Sequence, residues 1–322
     1  MSTFKFLTKF WLCFSKPKIN VINLPENAIR KVLEYLDFQS ILILRKTCKY
    51  FRNFIDDSQP DFHLFSIEIS VSFNTISLKI FSNDLEHWKK NYVEYNKNAN
   101  GGYSVVWFKR NEEKRKIMDF GYCITAFLDD LKIILRHQKS VLNSFSVFFE
   151  NGYNVVNVHE GLKQIFQNKD HFLKSQKLCM IVKDDNDVLP ILCLMDPLEL
   201  EIIEIHRLGI YEEDPMLLMD HLVEMDQWKN AEELRIEGYR LSNYYDHISH
   251  FKNVEISLKT ITVELIVSLK NGFLNCPTLA RYRFYFQQIE NEREVLKFLG
   301  GSYSETVCVI DEYSTRSTSS SF

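Results

Sequence analysis

Apolar and polar positions along this 322-residue chain follow two rhythms, and the change comes near Pro60. Before it the spacing is helical. Leu24 precedes Pro25, and proline suits a first helical turn because its missing N–H would be unpaired there anyway. Glu26 then favours the positive end of the helix dipole. Ile29, Val32, Leu33 and Leu36 recur three and four residues apart, which makes one apolar stripe. Asp37 marks a break, and Ser40 stands where it can cap the next helix. Ile41, Leu44, Cys48 and Phe51 form a second stripe, widened by Leu42, Ile43, Phe54 and Ile55. The pattern predicts about three short helices with more apolar surface than so small a unit can hide, so a partner is expected to cover the excess.

Beyond Pro60 the period drops to two. Ile67, Ile69, Val71 and Phe73 alternate with polar residues, as do Ile76, Leu78 and Ile80, and both runs predict strands. A third strand is expected at 105–109 after the Asn-Gly-Gly turn at 100–102. From Phe120 to His137 the spacing is helical again, with Phe127, Leu131, Ile134 and Leu135 on one face.

A degenerate repeat follows. The frames LNSFSV (142–147), SQKLCM (175–180), LEIIEI (200–205), AEELRI (231–236), FKNVEI (251–256) and LARYRF (279–284) share a Leu-x-x-Leu-x-Ile-like pattern. Their fourth positions are Phe145, Leu178, Ile203, Leu234, Val254 and Tyr282. Helical patterns are expected between frames at 159–169, 214–225 and 262–274. Strand, crossover helix and parallel strand is the economical way to repeat such a unit, whose apolar face is buried only by stacking on its neighbours. The expected class is α/β: a small all-α module, then an irregular solenoid with a curved, mostly parallel sheet and outer helices. The expected divisions are an arm at 1–19, the helical module at 20–57, a β-rich connector or solenoid cap at 58–115, the repeats at 116–310 and a disordered polar tail at 311–322.

Composition sharpens this outline. With 45% hydrophobic and 25% charged residues the chain is ordinary globular material. Its net charge of -4 is uneven: residues 1–60 hold ten Lys/Arg against five Asp/Glu, leaving 29 against 38 for the rest. An acidic partner for the first module is one reading of that asymmetry, and nucleic-acid binding by the remainder is not expected. The seven cysteines include no CxxC pair and read as reduced core thiols of the cytosol or nucleus, not as disulfides or a zinc site. Phe4 to Phe14 is apolar but broken by Lys5 and Lys9, so neither a secretory signal nor a membrane span is expected. An amphipathic arm that packs on the body or touches a membrane surface fits it better.

The segment 22–55 resembles an F-box. Its Leu24-Pro25 start, the Ile29, Leu33 and Leu36 helix, and the end running from Leu44-Arg45 through Cys48-Lys49 to Phe51-Arg52 match that family's pattern, with Phe51 where many members carry Trp. The F-box and the later frames together, with the stretch 130–147, resemble nematode F-box proteins with a C-terminal FTH domain, similar to leucine-rich repeats. Leu208, Tyr239 and Lys259 occupy the turn position where leucine-rich repeats place Asn or Cys. The resemblance implies a non-catalytic substrate receptor of an SCF-type cullin-RING ubiquitin ligase, acting in ubiquitin-dependent protein degradation without a cofactor. Leu24, Pro25, Ile29, Val32, Leu33, Leu36, Ile41, Leu44, Cys48 and Phe51 would meet a Skp-type adaptor and through it the cullin. A protein-interaction scaffold without a ligase role is the alternative.

If the frames' apolar positions face the core, the intervening ones form a second face: Ser146 and Phe148, Glu204 and His206, Arg235 and Glu237, Glu255 and Ser257, Arg283 and Tyr285. Arg and Tyr are favoured interface anchors, which puts Arg235, Arg283 and Tyr285 first among the candidates for holding a protein target, with Glu204, His206 and Glu237 beside them. Catalytic signals are weak. There is no phosphate-cradling Gly-rich loop and no Gly-x-Ser-x-Gly elbow, and no Cys–His pairing follows from spacing. His247 and His250 lack a third ligand nearby, and Asp184, Asp185 and Asp187 lack the glycine and bidentate glutamate of a calcium loop.

Overall fold

The computed structural model describes residues 24–82, 92–109, 112–150, 154–167, 172–182, 185–208, 216–217, 219–241, 245–248, 250–267, 281–291 and 309–312. Contacts divide the chain into two units. One takes in the residues up to His63 together with Arg136–Lys139; the other holds Leu64–Leu135 and everything from Ser140 onward. The arm at 1–19 and the end of the tail at 313–322 lie outside the described residues.

The first unit consists of α1 (Glu26–Glu34), α2 (Phe38–Thr47) and α3 (Lys49–Ser58). Pro25 is the N-cap of α1, and its carbonyl accepts from the Ala28 and Ile29 amides at 2.9 and 3.1 Å. The second cap differs from expectation. Asp37, not Ser40, caps α2, because its Oδ1 accepts from the Ser40 amide three residues on, at 2.6 Å. Cys48 is extended, with φ -157° and ψ 166°, and this break separates α2 from α3. Arg45 and Asp56 tie the two helices together, Nε to Oδ1 at 2.7 Å and Nη2 to Oδ2 at 3.0 Å.

The helices do bury a small core, so only part of their apolar surface is left as the excess that the stripes predict. Ile29, Leu33, Phe38, Ile41, Phe51 and Ile55 are inside it. The reason is a loan from further along the chain. Phe62 packs edge-on against Phe38 at 4.9 Å and stacks on the His137 imidazole at 4.5 Å, while its amide donates to the His137 carbonyl. Asp61 Oδ1 accepts from the Lys139 amide at 3.1 Å.

Among the described residues the second unit is built on one twelve-stranded sheet. In chain order its elements are β1 (Ser66–Val71), β2 (Thr75–Phe81), β3 (Tyr92–Lys97), β4 (Tyr103–Lys109), β5 (Glu112–Met118), α4 (Cys123–His137), β6 (Leu142–Phe149), α5 (Asn154–Gln167), β7 (Ser175–Val182), α6 (Val188–Leu192) and β8 (Ile202–Arg207). Then come β9 (Met216–Leu217), α7 (Asp226–Asn230), β10 (Glu233–Glu237), β11 (Arg240–Leu241), β12 (Asn253–Ile261), β13 (Arg281–Ile289) and β14 (Val309–Glu312). The last two residues of α4 belong to the first unit.

The sheet order is β14-β13-β12-β10-β8-β7-β6-β1-β2-β3-β4-β5. From β1 through β6 to β14 every neighbour is parallel, and β1 to β5 form an antiparallel meander. The region read as connector or cap is thus continuous with the repeat strands through the β1–β6 pair. The short β9 and β11 pair separately.

The six repeat frames are the strands β6, β7, β8, β10, β12 and β13. Their fourth positions stand in one register: Phe145 opposite Leu178, then Ile203, Leu234, Val254 and Tyr282. Phe145, Leu178, Ile203 and Leu234 are wholly buried. Val147, Met180, Ile205, Ile236 and Ile256 line the same interior. Helix α4 buries Phe127, Leu131, Ile134 and Leu135, and α5 buries Val158, Leu162, Ile165 and Phe166. At the turn after β10, Tyr239 is buried and its hydroxyl donates to the Val182 carbonyl at 3.2 Å, so tyrosine satisfies a main-chain acceptor there.

Two further expectations fail, and two strands appear where none was expected. Residues 214–225 are not a helix where they are described: 216–217 are extended and 220–224 form turns. Leu217, Met219, Leu222 and Val223 are all buried, whereas a single helix would turn Leu217 away from the face shared by the other three. Strands β3 and β5 had no clear alternation to announce them. Residues 311–312, read as the start of the tail, pair with β13 as part of β14.

Candidate functional site

Two surfaces carry the candidate residues, one on each unit. On the helical unit, Ile29, Leu33, Ile41 and Phe51 are buried, because the stripes that predicted a docking face also supply the unit's own interior. Leu24, Leu36, Leu44 and Cys48 are half-buried, and Pro25 and Val32 are exposed. Large apolar groups remain in solvent here: Val32 is 44% exposed, Tyr35 79%, Ile43 56% and Tyr50 37%. Tyr35 and Tyr50 were not among the sequence candidates. Their signal was available as aromatic residues on the polar side of each stripe.

On the sheet, side-chain alternation gives β7 to β13 a polar face opposite the apolar one. Register sets Cys179, Glu204, Arg235, Glu255 and Arg283 in one row across five neighbouring strands. The row continues the other way through Ser146 to Glu68 and Lys79, which are ion-paired. Arg283 Nη1 lies 3.3 Å from Glu255 Oε2. Opposite charges on adjacent strands support the pairing of the strands that carry them. Arg235, Glu233, Asn253, Glu255, Arg281 and Arg283 surround a cavity of about 170 Å³ on this face. Tyr285 is placed by its backbone alone, paired with Ser257 and Asp311.

Glu204 is the centre of the face, a carboxylate only 5% exposed. Lys177 Nζ lies 2.7 Å from its Oε2, Arg235 Nη1 2.8 Å from its Oε1, and His206 Nε2 3.8 Å from its Oε2. The Arg235 contact lacks the alignment of a hydrogen bond, so it acts as a charge contact. Burial alone would raise the Glu204 pKa, but His206 and Lys177, with the charge of Arg235, outweigh it and hold it at about 2. His206 is drawn the other way. Interaction with Cys179, then with Glu204 and with Glu237 3.0 Å from Nδ1, keeps it an imidazolium with a pKa of about 10 against the pull of burial.

The structure brings Glu204, His206, Arg235 and Glu237 together as one network. Lys177 and Cys179 complete it, and neither was a sequence candidate. Its apolar neighbours in the chain suggest that Cys179 is a core thiol. It is half-buried on the polar face, because its strand neighbours Leu178 and Met180 take the apolar side. The fifth position of the repeat frame carried that signal. Cys193, another expected core thiol, is exposed, and Cys13, Cys276 and Cys308 lie outside the described residues. His247 and His250 serve α7, through the His247 carbonyl accepting from Trp228 Nε1 and His250 Nε2 lying 2.9 Å from the Trp228 carbonyl. No helix among the described residues is long and apolar enough to cross a membrane.

Comparison with known proteins agrees with the division into a helical module and a sheet. The F-box domain family matches residues 21–63, and the FTH domain family matches residues 156–302. Over 293 residues the chain is 24% identical to F-box A protein 224 of Caenorhabditis elegans, covering 90% of this chain and 72% of that protein. No solved structure matches the chain. The first match falls on α1, α2 and α3, and the second begins within α5 and runs through the parallel strands to β13. The chain therefore carries an F-box domain match followed by an FTH domain match, and over most of its length it is similar to a nematode F-box A protein.

Proposed function

We propose that this protein is the substrate-recognition subunit of an SCF-type cullin-RING ubiquitin ligase, itself without catalytic chemistry. The observation that carries the reading is the F-box match over three helices that leave Val32, Tyr35, Ile43 and Tyr50 in water. Exposed apolar groups of that size on so small a unit favour a partner surface. In this reading Leu24, Pro25, Val32, Leu36, Leu44 and Cys48 dock on a Skp-type adaptor, and Ile29, Leu33, Ile41 and Phe51 hold the helices in the shape that docks.

The FTH sheet then presents the target. Its polar face, with Arg235 and Arg283 beside the cavity, offers charged anchors to a protein ligand. The sequential order of the parallel strands supports an arrangement like that of leucine-rich repeats. Function follows from proximity, since the ligase gains an effective concentration of target while bond-making occurs on other subunits.

The test is adaptor recovery. Leu24→Ala combined with Pro25→Ala should abolish co-purification of the adaptor while the sheet keeps its thermal unfolding transition. Undiminished recovery from that double variant would overturn the reading.

A further inference from the structure

We propose that Cys179, Glu204 and His206, on the polar face of the sheet, form a binding site for one zinc ion. The three residues offer a sulfur, a carboxylate oxygen and a ring nitrogen that all lie within 4.8 Å of one another. Zinc holds sulfur at about 2.3 Å and nitrogen or oxygen at about 2.0–2.2 Å, so tetrahedral ligand atoms stand roughly 3.3–3.8 Å apart. Closing the present set to that size needs side-chain movement of about 1 Å, and no backbone change.

The backbone sets the arrangement. Cys179 and Glu204 are register partners on adjacent hydrogen-bonded strands, and His206 follows Glu204 by two residues on the same face. The ring of His206 is already oriented. Glu237 Oε2 lies 3.0 Å from Nδ1, and Nε2 faces Glu204. A carboxylate that holds the far nitrogen of a histidine is the usual support for a metal-ligating imidazole, because it fixes the tautomer and turns the free nitrogen to the ion.

The ligand types choose the metal class. A thiolate and an imidazole favour zinc over magnesium or calcium, which prefer all-oxygen sites. Zinc binding displaces the thiol proton of Cys179 and the Nε2 proton of His206 into solvent. At Glu204 the ion replaces Lys177 on Oε2, while Arg235 stays on Oε1. Lys177 is partly exposed and its long side chain can turn outward to water. Cys179 and His206 are half-buried, so the fourth position opens toward solvent and is filled by water. This site stands whether or not the chain joins a ligase.

The test uses the full-length chain freed of metal by chelation and titrated with cobalt(II), then zinc. Cobalt should give near-ultraviolet thiolate-to-metal absorption and strong visible bands of a tetrahedral site, saturating at one equivalent and bleached by zinc. Cys179→Ser should remove the thiolate absorption, while Cys193→Ser, at an exposed thiol on α6's C-terminal side, should leave it unchanged. Glu237→Gln should weaken zinc affinity about 10–100-fold without removing the bands. Absorption that survives in Cys179→Ser, or a wild-type chain that binds no more tightly than that variant, would overturn the site. If Cys179→Ser fails to fold, alkylation mapped by peptide mass spectrometry decides in the wild-type chain. Equimolar zinc should then protect Cys179 but not Cys193, and a Cys179 labelled equally fast with and without zinc contradicts the site.

Discussion

At the scale of the residue, one ion pair and one imidazole contribute to the stability of the helical unit. The Arg45–Asp56 pair is half-shielded from water and bidentate, which favours a measurable contribution where a fully exposed pair would give almost none. Arg45 lowers the Asp56 pKa through its hydrogen bonds. A double-mutant cycle on Arg45→Ala and Asp56→Ala should return a coupling of about 1 kcal/mol in chemical denaturation. A coupling indistinguishable from zero would mean that packing alone holds α2 to α3. His137 is 1% exposed, and burial lowers its pKa despite the Pro60 carbonyl 3.3 Å from Nδ1. The unfolded chain therefore takes up this proton more readily than the folded one. Stability from a neutral His137 is complete above the ordinary histidine range near pH ~6.5 and falls as pH drops below it. The unfolding midpoint of the wild type should decline across that window more steeply than that of His137→Gln, and parallel pH profiles would contradict the assignment. Cys179 shows where residue-level reading of the sequence stopped. An apolar neighbourhood in the chain hid a position whose side chain faces the charged side of the sheet, and only strand register separates the two.

At the scale of the element, the repeat frames were legible because burial on one face imposes a period of two on every strand. The row from Phe145 to Tyr282 is that constraint seen in space. Elements without the constraint escaped. Strand β5 reads EEKRKIM and lies at the sheet edge, where charged residues face water and discourage pairing with other chains. In sequence that looks like a solvated loop. The turns at 220–224 escaped for the opposite reason, since an apolar run at near-helical spacing can also be buried by an irregular path. Helix α5 meets α4 through a missing side chain. A Cβ at Gly161 would overlap the end of the Leu128 side chain, so any larger residue there requires Leu128 to move. Alanine would ordinarily gain about 1 kcal/mol over glycine within a helix. Here Gly161→Ala should instead lower stability by about 1 kcal/mol through overpacking. The same change should become stabilising when Leu128→Ala has first removed the clash. A Gly161→Ala variant more stable than wild type in urea unfolding would show that Leu128 moves aside freely.

At the scale of the whole molecule, the helices and the sheet carry different kinds of surface, one with exposed apolar groups and one with charged rows. The helical unit keeps Ile29, Leu33, Ile41 and Phe51 in its interior and leaves Val32, Tyr35, Ile43 and Tyr50 exposed. Within a stripe the sequence could not sort a buried position from an exposed one, such as Leu33 from Val32, because the sorting depends in part on Phe62 and on residues 136–139 supplied from elsewhere in the chain. The sheet keeps its charged side organised around Glu204, whose neighbours come from β7, β8 and β10. On the proposed function, the chain should bind a Skp-type adaptor through the helices alone. The most direct measurement is calorimetric titration of a purified Skp-type adaptor into the full-length chain. A one-to-one complex is expected, with an affinity that falls at least about tenfold, or about 1.4 kcal/mol, in Val32→Asp with Ile43→Asp, while the unfolding midpoint stays unchanged. A wild-type chain that gives no binding heat and no complex by size-exclusion chromatography, or a double variant that binds as tightly as wild type, would contradict it.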